Sequence, residues 1–454
     1  MRAPDDQPLD EANAVPISSS PVAVLVSRFP LITETFILRE ISEMKRQGQQ
    51  VLLVPMLRES PPVVHLEALP WMDSALYTPW FSRAIAAANL RMFLRRPVRY
   101  LGLLLRLLAG TADSLSILLR TASLFPKAVY LAERLTREGV RHVHAHFATH
   151  PTTMALIISS LSAIDFSFTV HAHDIFVDRH LLRWKIRSAR SIRSISDFNR
   201  RFLESLYPEA EGKISVVHVG IEPHRYRFAS LRVVSDDSSE SVPTILCVAA
   251  LKPYKGIPTL IDACSRLAGK GIAFRCLIAG EGPMRNRIEA MIERCGLRGR
   301  IEILGAQPQE AIAALMARST LFVLPSIIAD DGQMEGIPVA LMEAMASGLP
   351  VISSRLSGIP ELIENQRSGL LVEPGDAGAL AAAIAGLLAD QTMQRRIGVQ
   401  ARRKVCEEFE LASCTARLLR LLNGGEHSSS PGFAATCKVL PWRTRACEAE
   451  ETSR

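Results

Sequence analysis

The stretch of sequence that decides the fold is DGQMEGIPVALMEAMASGLPVI, residues 331–352. Pro338 suits the first position of a helix, because no amide hydrogen is needed there, and Gly348 is typical of a helix end. We therefore predict a helix between these two residues. Glu335 then lies in the loop before the helix and Glu343 lies on it, with seven residues between the two carboxylates.

This segment has the parts that a sugar nucleotide needs. A helix N-terminus binds phosphate through its N–H groups and its dipole, and the amides of Ile337, Val339 and Ala340 fringe this one. A carboxylate in the loop can accept hydrogen bonds from sugar hydroxyls, and one on the helix can hold a ribose diol. The alternative is a surface loop with two unrelated acids. The fixed positions of glycine and proline around the acids argue against that alternative.

Apolar strands alternate with helices on both sides of this segment. In the N-terminal half the predicted strands are 22–26, 51–55, 140–146, 166–170, 191–194 and 214–217. In the C-terminal half they are 244–248, 274–279, 301–304, 321–324 and 350–353. Continuous apolar strands are typical of parallel sheets that are buried on both faces. The pattern predicts an α/β fold of two doubly wound, Rossmann-like domains that face each other across a cleft.

The domain bounds follow from where this alternation starts and stops. We predict an N-terminal domain over 21–235 and a C-terminal domain over 243–405, with a polar linker around 230–242. A further helical pattern covers 406–424. We expect residues 1–20 to form a flexible leader and residues 425–454 to form a disordered tail.

One segment of the N-terminal half, 81–138, departs from the alternation and predicts a set of helices rich in Leu, Ala and Arg. Between Phe81 and Arg120 there are seven arginines and a single acid, Asp113, beside the strongly apolar run 101–108. This combination favours an amphipathic surface that rests on anionic lipid. The alternative is a buried helix whose arginine side chains extend to solvent.

The composition excludes several classes of protein. With 454 residues, 48% hydrophobic and 22% charged, the chain is neither disordered nor collagen-like. Its eight cysteines include no C-x-x-C pair, so we expect reduced core thiols rather than a disulfide scaffold or a structural zinc site. The net charge of +7 favours anionic partners, but no nucleic-acid module accompanies it. We identify no signal peptide, no transmembrane helix and no Walker loop.

Several segments together resemble one known family. The spacing of Glu335 and Glu343 is similar to the Glu-x7-Glu motif of the GT-B-fold retaining glycosyltransferases called family 4. Lys255-Gly256 resembles the Lys-Gly loop of that family, and other segments follow in its order: AGEGP at 279–283, PS at 325–326, SGIPE at 357–361 and SGLLV at 368–372. The N-terminal half resembles the members that build exopolysaccharides of the colanic-acid type, through SRFP at 27–30, TETF at 33–36, HAHF at 144–147 and HAHDI at 171–175.

The resemblance implies a role for individual residues. Glu335 would contact the donor sugar, Glu343 the ribose and Lys255 the diphosphate. His171 would line the catalytic cleft, with Asp174 close by, and these two residues together with Glu335 would be the catalytic residues. The remaining donor-binding residues would be Lys252, Gly282, Gly336, Ile337, Pro338 and Val339, and the acceptor-side residues would be Arg28, Thr33, Glu34, Thr35 and His146.

One position departs from the pattern of the family. Its members usually carry an arginine five residues before the lysine of the Lys-Gly loop, and this chain has Ala250 there. Lys252 is the nearest candidate to substitute, but arginine is the better bidentate ligand for phosphate. We therefore expect donor affinity or donor identity to differ from the family norm.

The resemblance also implies the reaction. We expect a retaining glycosyltransferase that moves a hexose from a UDP- or GDP-linked sugar to a polyprenyl-diphosphate-linked glycan in bacterial exopolysaccharide biosynthesis. No metal or other cofactor is expected. The helix over 406–424 would return to the N-terminal domain. The basic insertion would hold the protein at the cytoplasmic face of the plasma membrane, as a peripheral protein on anionic lipid.

Three alternatives stay open. The acceptor could be a soluble small molecule. The chain could be a weakened sugar-nucleotide-binding subunit of a transferase complex, a possibility that Ala250 keeps open. A metal-dependent hydrolase could use His142, His144 and His146, which share one face of a predicted strand. That class, however, arranges its other ligands around a barrel, and the sequence predicts two doubly wound halves.

Overall fold

A computed structural model describes residues 20–31, 34–60, 65–226 and 242–424. The expected leader, except Ser20, lies outside the described residues, as do most of the expected linker and the whole of the expected tail. The described chain forms two domains, each built on a six-stranded sheet. Every described strand pair is parallel.

The N-terminal sheet has the strand order β2-β1-β3-β4-β5-β6. Its strands are β1 (Val22–Phe29), β2 (Val51–Arg58), β3 (His142–His146), β4 (Asp165–Val170), β5 (Ser191–Ser194) and β6 (Ile214–Val216). Its helices are α1 (Thr35–Arg46), α2 (Leu69–Ser74), α3 (Arg83–Arg95), α4 (Pro97–Ala109), α5 (Leu115–Arg137), α6 (His150–Leu161), α7 (His173–Phe176), α8 (Leu182–Ser188) and α9 (Asp197–Leu206). The strand β2 continues through Pro55, which an edge strand tolerates because one side of it needs no ladder hydrogen bonds.

The C-terminal sheet has the strand order β12-β11-β10-β7-β8-β9. Its strands are β7 (Thr244–Val248), β8 (Arg275–Ala279), β9 (Ile301–Gly305), β10 (Leu321–Leu324), β11 (Val351–Ser354) and β12 (Leu370–Val372). The helices are α10 (Ile257–Gly269), α11 (Arg285–Arg294), α12 (Gln309–Arg318), α13 (Val339–Ala346), α14 (Ile359–Leu362), α15 (Ala377–Ala389), α16 (Gln391–Glu408) and α17 (Leu411–Leu422). The sequence analysis did not predict β12, because three residues at a sheet edge are too short to show a period.

The last described helix, α17, lies on the N-terminal domain. Its first residue, Leu411, donates its backbone N–H to the carbonyl of Ile221 over 2.8 Å. The Gln47 side chain, just after α1, donates to the carbonyl oxygen of Ala412 over 2.9 Å. The apolar side of α17 is buried against β1 and α1, so the C-terminal end of the described chain joins the two domains.

The insertion forms three helices, α3, α4 and α5, of which α5 packs deepest. Leu124, Phe125 and Ala128 are buried in the core of the N-terminal domain. By length and composition alone, α5 is the one described helix that could cross a membrane, and the sequence analysis did not identify it. The core helix of a soluble protein has the same properties, so this finding is weak evidence for a span.

Gly398 lies where α16 crosses the end of α13. A β-carbon there would stand 2.2 Å from the carbonyl oxygen of Gly348. We therefore expect Gly398→Ala to lower the free energy of unfolding by about 1–3 kcal/mol, the usual cost of overpacking. Gly386 on α15 is the matched control, since nothing lies within 4 Å of its β-carbon position. Gly386→Ala should raise the free energy by roughly 0.5–1 kcal/mol through helix propensity. Urea unfolding of both variants measures these changes in the free energy of unfolding. Equal changes in the two variants would contradict the packing argument.

Candidate active site

The candidate site lies where the C-terminal sheet reverses its strand order. The strands run β7-β8-β9 to one side and β10-β11-β12 to the other, so β7 and β10 are neighbours. The loops that leave such a pair at the carboxyl ends diverge and open a crevice for a ligand. Lys255 follows β7 and Glu335 follows β10. The topology therefore brings two of the predicted site residues to one place.

Lys255 and Glu335 form a buried ion pair between Nζ and Oε1. The lysine loop reaches this position because Gly256 has a φ of +69°, and a β-carbon there would lie 1.8 Å from the carbonyl oxygen of Pro325. Burial acts to lower the pKa of Lys255, but the neighbouring Glu335 outweighs burial and raises that pKa above its usual value. Lys255 is thus a cation at neutral pH.

The predicted helix between the two acids is α13, which begins at Val339 with Pro338 as its N-cap. Its carboxylate, Glu343, is buried, and Oε1 accepts hydrogen bonds from the Tyr226 hydroxyl over 2.7 Å and from Gln309 Nε2 over 2.9 Å. Arg39 of α1 lies 3.8 Å from the same oxygen. Burial raises the pKa of Glu343, and these three neighbours oppose that rise. Side chains from outside the C-terminal sheet therefore hold Glu343, the residue that is predicted to bind the ribose.

His171 directly follows β4 and is buried among aromatic rings. Its ring centroid lies 4.3 Å from that of Phe147 and 5.3 Å from that of Phe36. Its Nε2 atom lies 3.4 Å from Nδ1 of His146. Burial lowers the pKa of His171 well below its usual value, and His146 and Arg193 lower it further. His171 is therefore a neutral hydrogen-bonding group at neutral pH.

A buried chain of polar groups lies beside these histidines. Arg193 Nη1 donates to Glu40 Oε2 over 2.5 Å, and Glu40 Oε1 lies 3.5 Å from Nε2 of His146. Glu40 Oε1 forms no hydrogen bond to a described residue, so it acts on His146 through its charge, which opposes the lowering of the His146 pKa by burial. The contact between His146 and His171 needs one donor and one acceptor nitrogen, and either ring can be the donor.

Asp174 fixes the loop that carries His171. Its carboxylate accepts hydrogen bonds from the backbone amides of Ala148 over 2.8 Å, His171 over 3.0 Å and Ala172 over 2.8 Å. Burial raises the pKa of Asp174, and these backbone bonds oppose the rise. The sequence analysis grouped Asp174 with the catalytic residues; its described contacts are those of a positioning residue.

The donor loop of the C-terminal domain touches the histidine loop of the N-terminal domain. A β-carbon on Gly336 would lie 3.0 Å from the carbonyl oxygen of His171 and 2.8 Å from Cδ1 of Ile195, so glycine suits this close approach. Nearby, the Glu361 carboxylate accepts hydrogen bonds from the amides of Asp197 over 2.8 Å and Phe198 over 2.9 Å, at the start of α9. These contacts place Glu335 and His171 on two loops that meet at the domain interface.

The other predicted donor residues are spread around this point. Ile337 is buried, and a β-carbon on Gly282 would lie 2.6 Å from the carbonyl oxygen of Leu251. The side chain of Lys252 is exposed to solvent, so it is not held at the ion pair of Lys255.

The predicted acceptor-side residues are less closely grouped. Thr35 is the first residue of α1, and Glu34 directly precedes it. His146 lies at the end of β3 inside the buried polar chain. Arg28 is exposed and paired with Glu59. Thr33 lies outside the described residues.

The histidines of β3 bond to hydroxyl groups. His142 Nε2 lies 2.7 Å from the Ser167 hydroxyl. His144 lies 2.8 Å from both the Ser167 and the Thr169 hydroxyls. Within the described residues, no three His, Cys, Asp or Glu side chains form a group that could hold a metal ion.

Sequence reasoning missed the residues that contact Glu343. Arg39 and Tyr226 reach it across the domain interface, and Gln309 reaches it from α12 of the same domain. None of the three carries a local signature that ties it to Glu343. Glu361 belongs to the SGIPE motif, but its partners, two backbone amides at the start of α9, have no signature in the sequence. A pattern read along one chain segment does not report a contact between two domains.

Comparison with solved structures identifies the architecture. The chain superimposes on a glycosyltransferase from Rickettsia africae with a TM-score of 0.67 at 19% identity, covering 90% of this chain and 100% of that one. It superimposes on Anabaena HepE in complex with UDP and glucose with a TM-score of 0.64 at 17% identity, covering 89% and 99%. The chain has the GT-B fold. The predicted fold class is thereby confirmed.

Comparison of sequences finds similar proteins for parts of the chain. Residues 235–404 match the family model described as "Glycosyl transferases group 1". The chain is 40% identical over 212 residues to a putative colanic acid biosynthesis glycosyltransferase, WcaL, of Salmonella typhimurium, covering 46% of this chain and 51% of that protein. It is 41% identical over 210 residues to the amylovoran biosynthesis glycosyltransferase AmsK of Erwinia amylovora, covering 46% and 50%. The chain thus spans about half the length of these curated relatives.

Glu34 makes stability depend on pH. Burial raises the pKa of its carboxyl from 4.5 to about 7. Between these values the folded GT-B chain keeps a proton that the unfolded chain has released, so the free energy of unfolding falls as the pH rises through this window. Glu34→Gln cannot titrate and should flatten this part of the profile. Urea unfolding across the window measures it, with the exposed Glu310→Gln as control. An unchanged slope in Glu34→Gln would contradict the assignment.

Proposed function

We propose that this protein is a glycosyltransferase that moves a hexose from a nucleotide-diphosphate sugar to a lipid-linked glycan in bacterial exopolysaccharide biosynthesis. The observation that carries the proposal is the buried Lys255–Glu335 pair at the switch point of the C-terminal sheet, next to the loop of His171. The group 1 match over 235–404 supports it. So do the relatives named for colanic acid and amylovoran biosynthesis.

The donor diphosphate would lie between Lys255 and the first turn of α13. Negative charge develops on the diphosphate as the bond to the sugar breaks, and fixed positive groups stabilise that charge. An ammonium group has three hydrogens, so Lys255 can hold Glu335 and a phosphate oxygen together. The first amides of α13 add a helix dipole of the right sign. In this proposal the leaving group needs no metal.

The transferred sugar would lie between Glu335 and His171. Glu335 would accept hydrogen bonds from its hydroxyls, and the His171 ring would form another. The rings of Phe36 and Phe147 cover His171 and help to exclude water, which limits hydrolysis of the donor. Each domain thus supplies one residue that would bind the sugar.

We propose transfer with retention, as the resemblance to family 4 implies. The acceptor would attack on the face from which the diphosphate leaves, and the donor phosphate would take the proton. The side chains support this route because each candidate nucleophile is engaged: Glu335 with Lys255, and Asp174 with three backbone amides. No covalent intermediate on the protein is therefore assigned.

For the acceptor we propose a polyprenyl-diphosphate-linked glycan, reached from the cytoplasmic face of the membrane by a peripheral protein. The relatives named for exopolysaccharide biosynthesis support this acceptor class. A soluble acceptor is the alternative. A second alternative is a weakened sugar-nucleotide-binding subunit, which Ala250 favours because alanine supplies no cation for the diphosphate.

Glu335→Gln separates sugar binding from nucleotide binding. We expect transfer to fall by about 100-fold, because the amide positions the sugar hydroxyls poorly. Affinity for the nucleoside diphosphate without sugar should stay equal or rise, because Lys255 loses its competing carboxylate. Asp331→Asn in the same loop, whose side chain is exposed, is the control and should leave both unchanged. Product assays measure transfer and calorimetry measures nucleotide affinity. Near-normal transfer by Glu335→Gln would contradict the assignment of Glu335 to the donor site.

Calorimetric titration with UDP, GDP and ADP tests the donor class. We expect one nucleotide to bind saturably in the presence of a chelator, because Lys255 and α13 stabilise the phosphates without metal. Added Mg²⁺ should not raise its affinity more than about twofold beyond the effect of ionic strength. Binding that requires the divalent ion would contradict the metal-free site. Binding without any transfer to lipid-linked or soluble acceptors would favour the subunit alternative.

A further inference from the structure

The helical insertion exposes an apolar face that the reaction does not use. Leu90 and Leu94 on α3, and Val98, Leu101 and Leu105 on α4, recur at spacings of three or four residues, so each set shares one side of its helix. Leu94 is 69% exposed, Val98 84% and Leu105 64%. We call these five residues the α3–α4 face. Contiguous apolar side chains in water mark a binding surface.

A basic cavity opens beside the α3–α4 face. It has a volume of about 850 Å³ and lies between the end of α3, the start of α4 and the ends of α5 and α6. One acid lines it, Glu133, and this acid is already paired with Arg91 over 2.6 Å. The arginines that line the cavity are Arg91, Arg95, Arg96, Arg99 and Arg137. The planar guanidinium group matches the oxygens of a phosphate group in pairs.

The basic cavity and the α3–α4 face together indicate which kind of partner binds here. A second copy of this chain would bring two arginine clusters together, and like charges oppose such a contact. A soluble phosphate would fill the cavity but leave the apolar residues in water. An anionic bilayer supplies phosphates at its surface and an apolar phase directly beneath them, which matches a basic cavity beside an apolar face.

We propose that the α3–α4 face docks on an anionic phospholipid bilayer, with lipid phosphates in the arginine cavity and the leucine and valine side chains among the acyl chains. The surplus of charge agrees with this partner, since residues 81–120 contain seven arginines and one acid. Each basic residue near an anionic surface adds to the attraction, so the cluster acts together.

The helix α4 runs from the arginine cavity towards the other edge of the N-terminal sheet. It has 13 residues and so spans about 20 Å. Its first residues lie at the cavity, beside the segments that precede β3 and β4. At its far end a β-carbon on Gly110 would lie 2.4 Å from Cδ2 of Leu181, and Asp113 lies 3.4 Å from Nε2 of His180. The docking surface is thus separate from the loop of His171, and the docking does not depend on the proposed function.

Vesicle sedimentation of the full chain tests the proposal. The wild type should sediment with vesicles of phosphatidylcholine and phosphatidylglycerol, and far less with phosphatidylcholine alone. The triple change Arg95→Glu, Arg96→Glu and Arg99→Glu should reduce binding to the anionic vesicles by about 100-fold or more, since each lost arginine removes several-fold in affinity. The triple change Leu94→Ser, Val98→Ser and Leu101→Ser should reduce binding while leaving its salt dependence in place.

The control carries the same change of charge in the other domain: Arg294→Glu, Arg395→Glu and Arg396→Glu, all at exposed positions. It should sediment close to the wild type. Thermal unfolding and nucleotide titration should be unchanged in all three variants, which separates a docking defect from misfolding and from failure of the proposed function. Equal losses in the control, or unchanged sedimentation of the Arg95 triple variant, would overturn the proposal. Concentration-dependent dimers that the leucine changes abolish would overturn it in favour of a second copy. Saturable binding of glycerol phosphate without vesicle binding would overturn it in favour of a soluble ligand.

Discussion

The candidate site depends on the buried ion pair between Lys255 and Glu335. Removing one partner of a buried pair leaves a desolvated charge, which typically costs about 3–5 kcal/mol. The pair therefore ties the loop after β7 to the loop after β10 at the point where the sheet opens. Gly256 allows the lysine loop to pass against the carbonyl of Pro325. The fold thus holds a cation and an anion close together, where a charged and hydroxylated ligand would need both.

The domain interface converges on the same loops. Gly336 lies close to the carbonyl of His171, so the donor loop packs against the histidine loop of the other domain. Arg39 approaches Glu343 from α1, and Glu361 binds the first amides of α9. Each of these contacts joins a residue near the donor site to the other domain. The contacts that join the two domains therefore include side chains that also hold the candidate donor site.

The fold was largely predictable, because apolar strands and the glycines and prolines that bound α13 act locally. The meeting of Lys255 and Glu335 follows from the strand order, and the alternation of strands and helices predicts a doubly wound order. The partners of Glu343 could not be predicted, because Tyr226 and Arg39 are distant in sequence and reach it only when the domains meet. The role of Asp174 was hidden for another reason: its partners are backbone amides, which every residue has. The strand β12 was too short to show a repeating pattern of apolar residues.

In the proposed donor site, Ala250 would change how the protein discriminates between ligands. Without an arginine at that position, Lys255 would carry more of the charge of a diphosphate, and Lys255 already holds Glu335. A nucleotide without sugar would share the ammonium group with that carboxylate, and the two anions would repel each other. A nucleotide with sugar would offer its hydroxyls to Glu335 as hydrogen-bond donors, which would compensate the carboxylate. Arg39 lies beside Glu343 rather than the ion pair, so it would not relieve this repulsion. The proposed arrangement would therefore favour the complete donor over its nucleotide product, which is the order that product release needs.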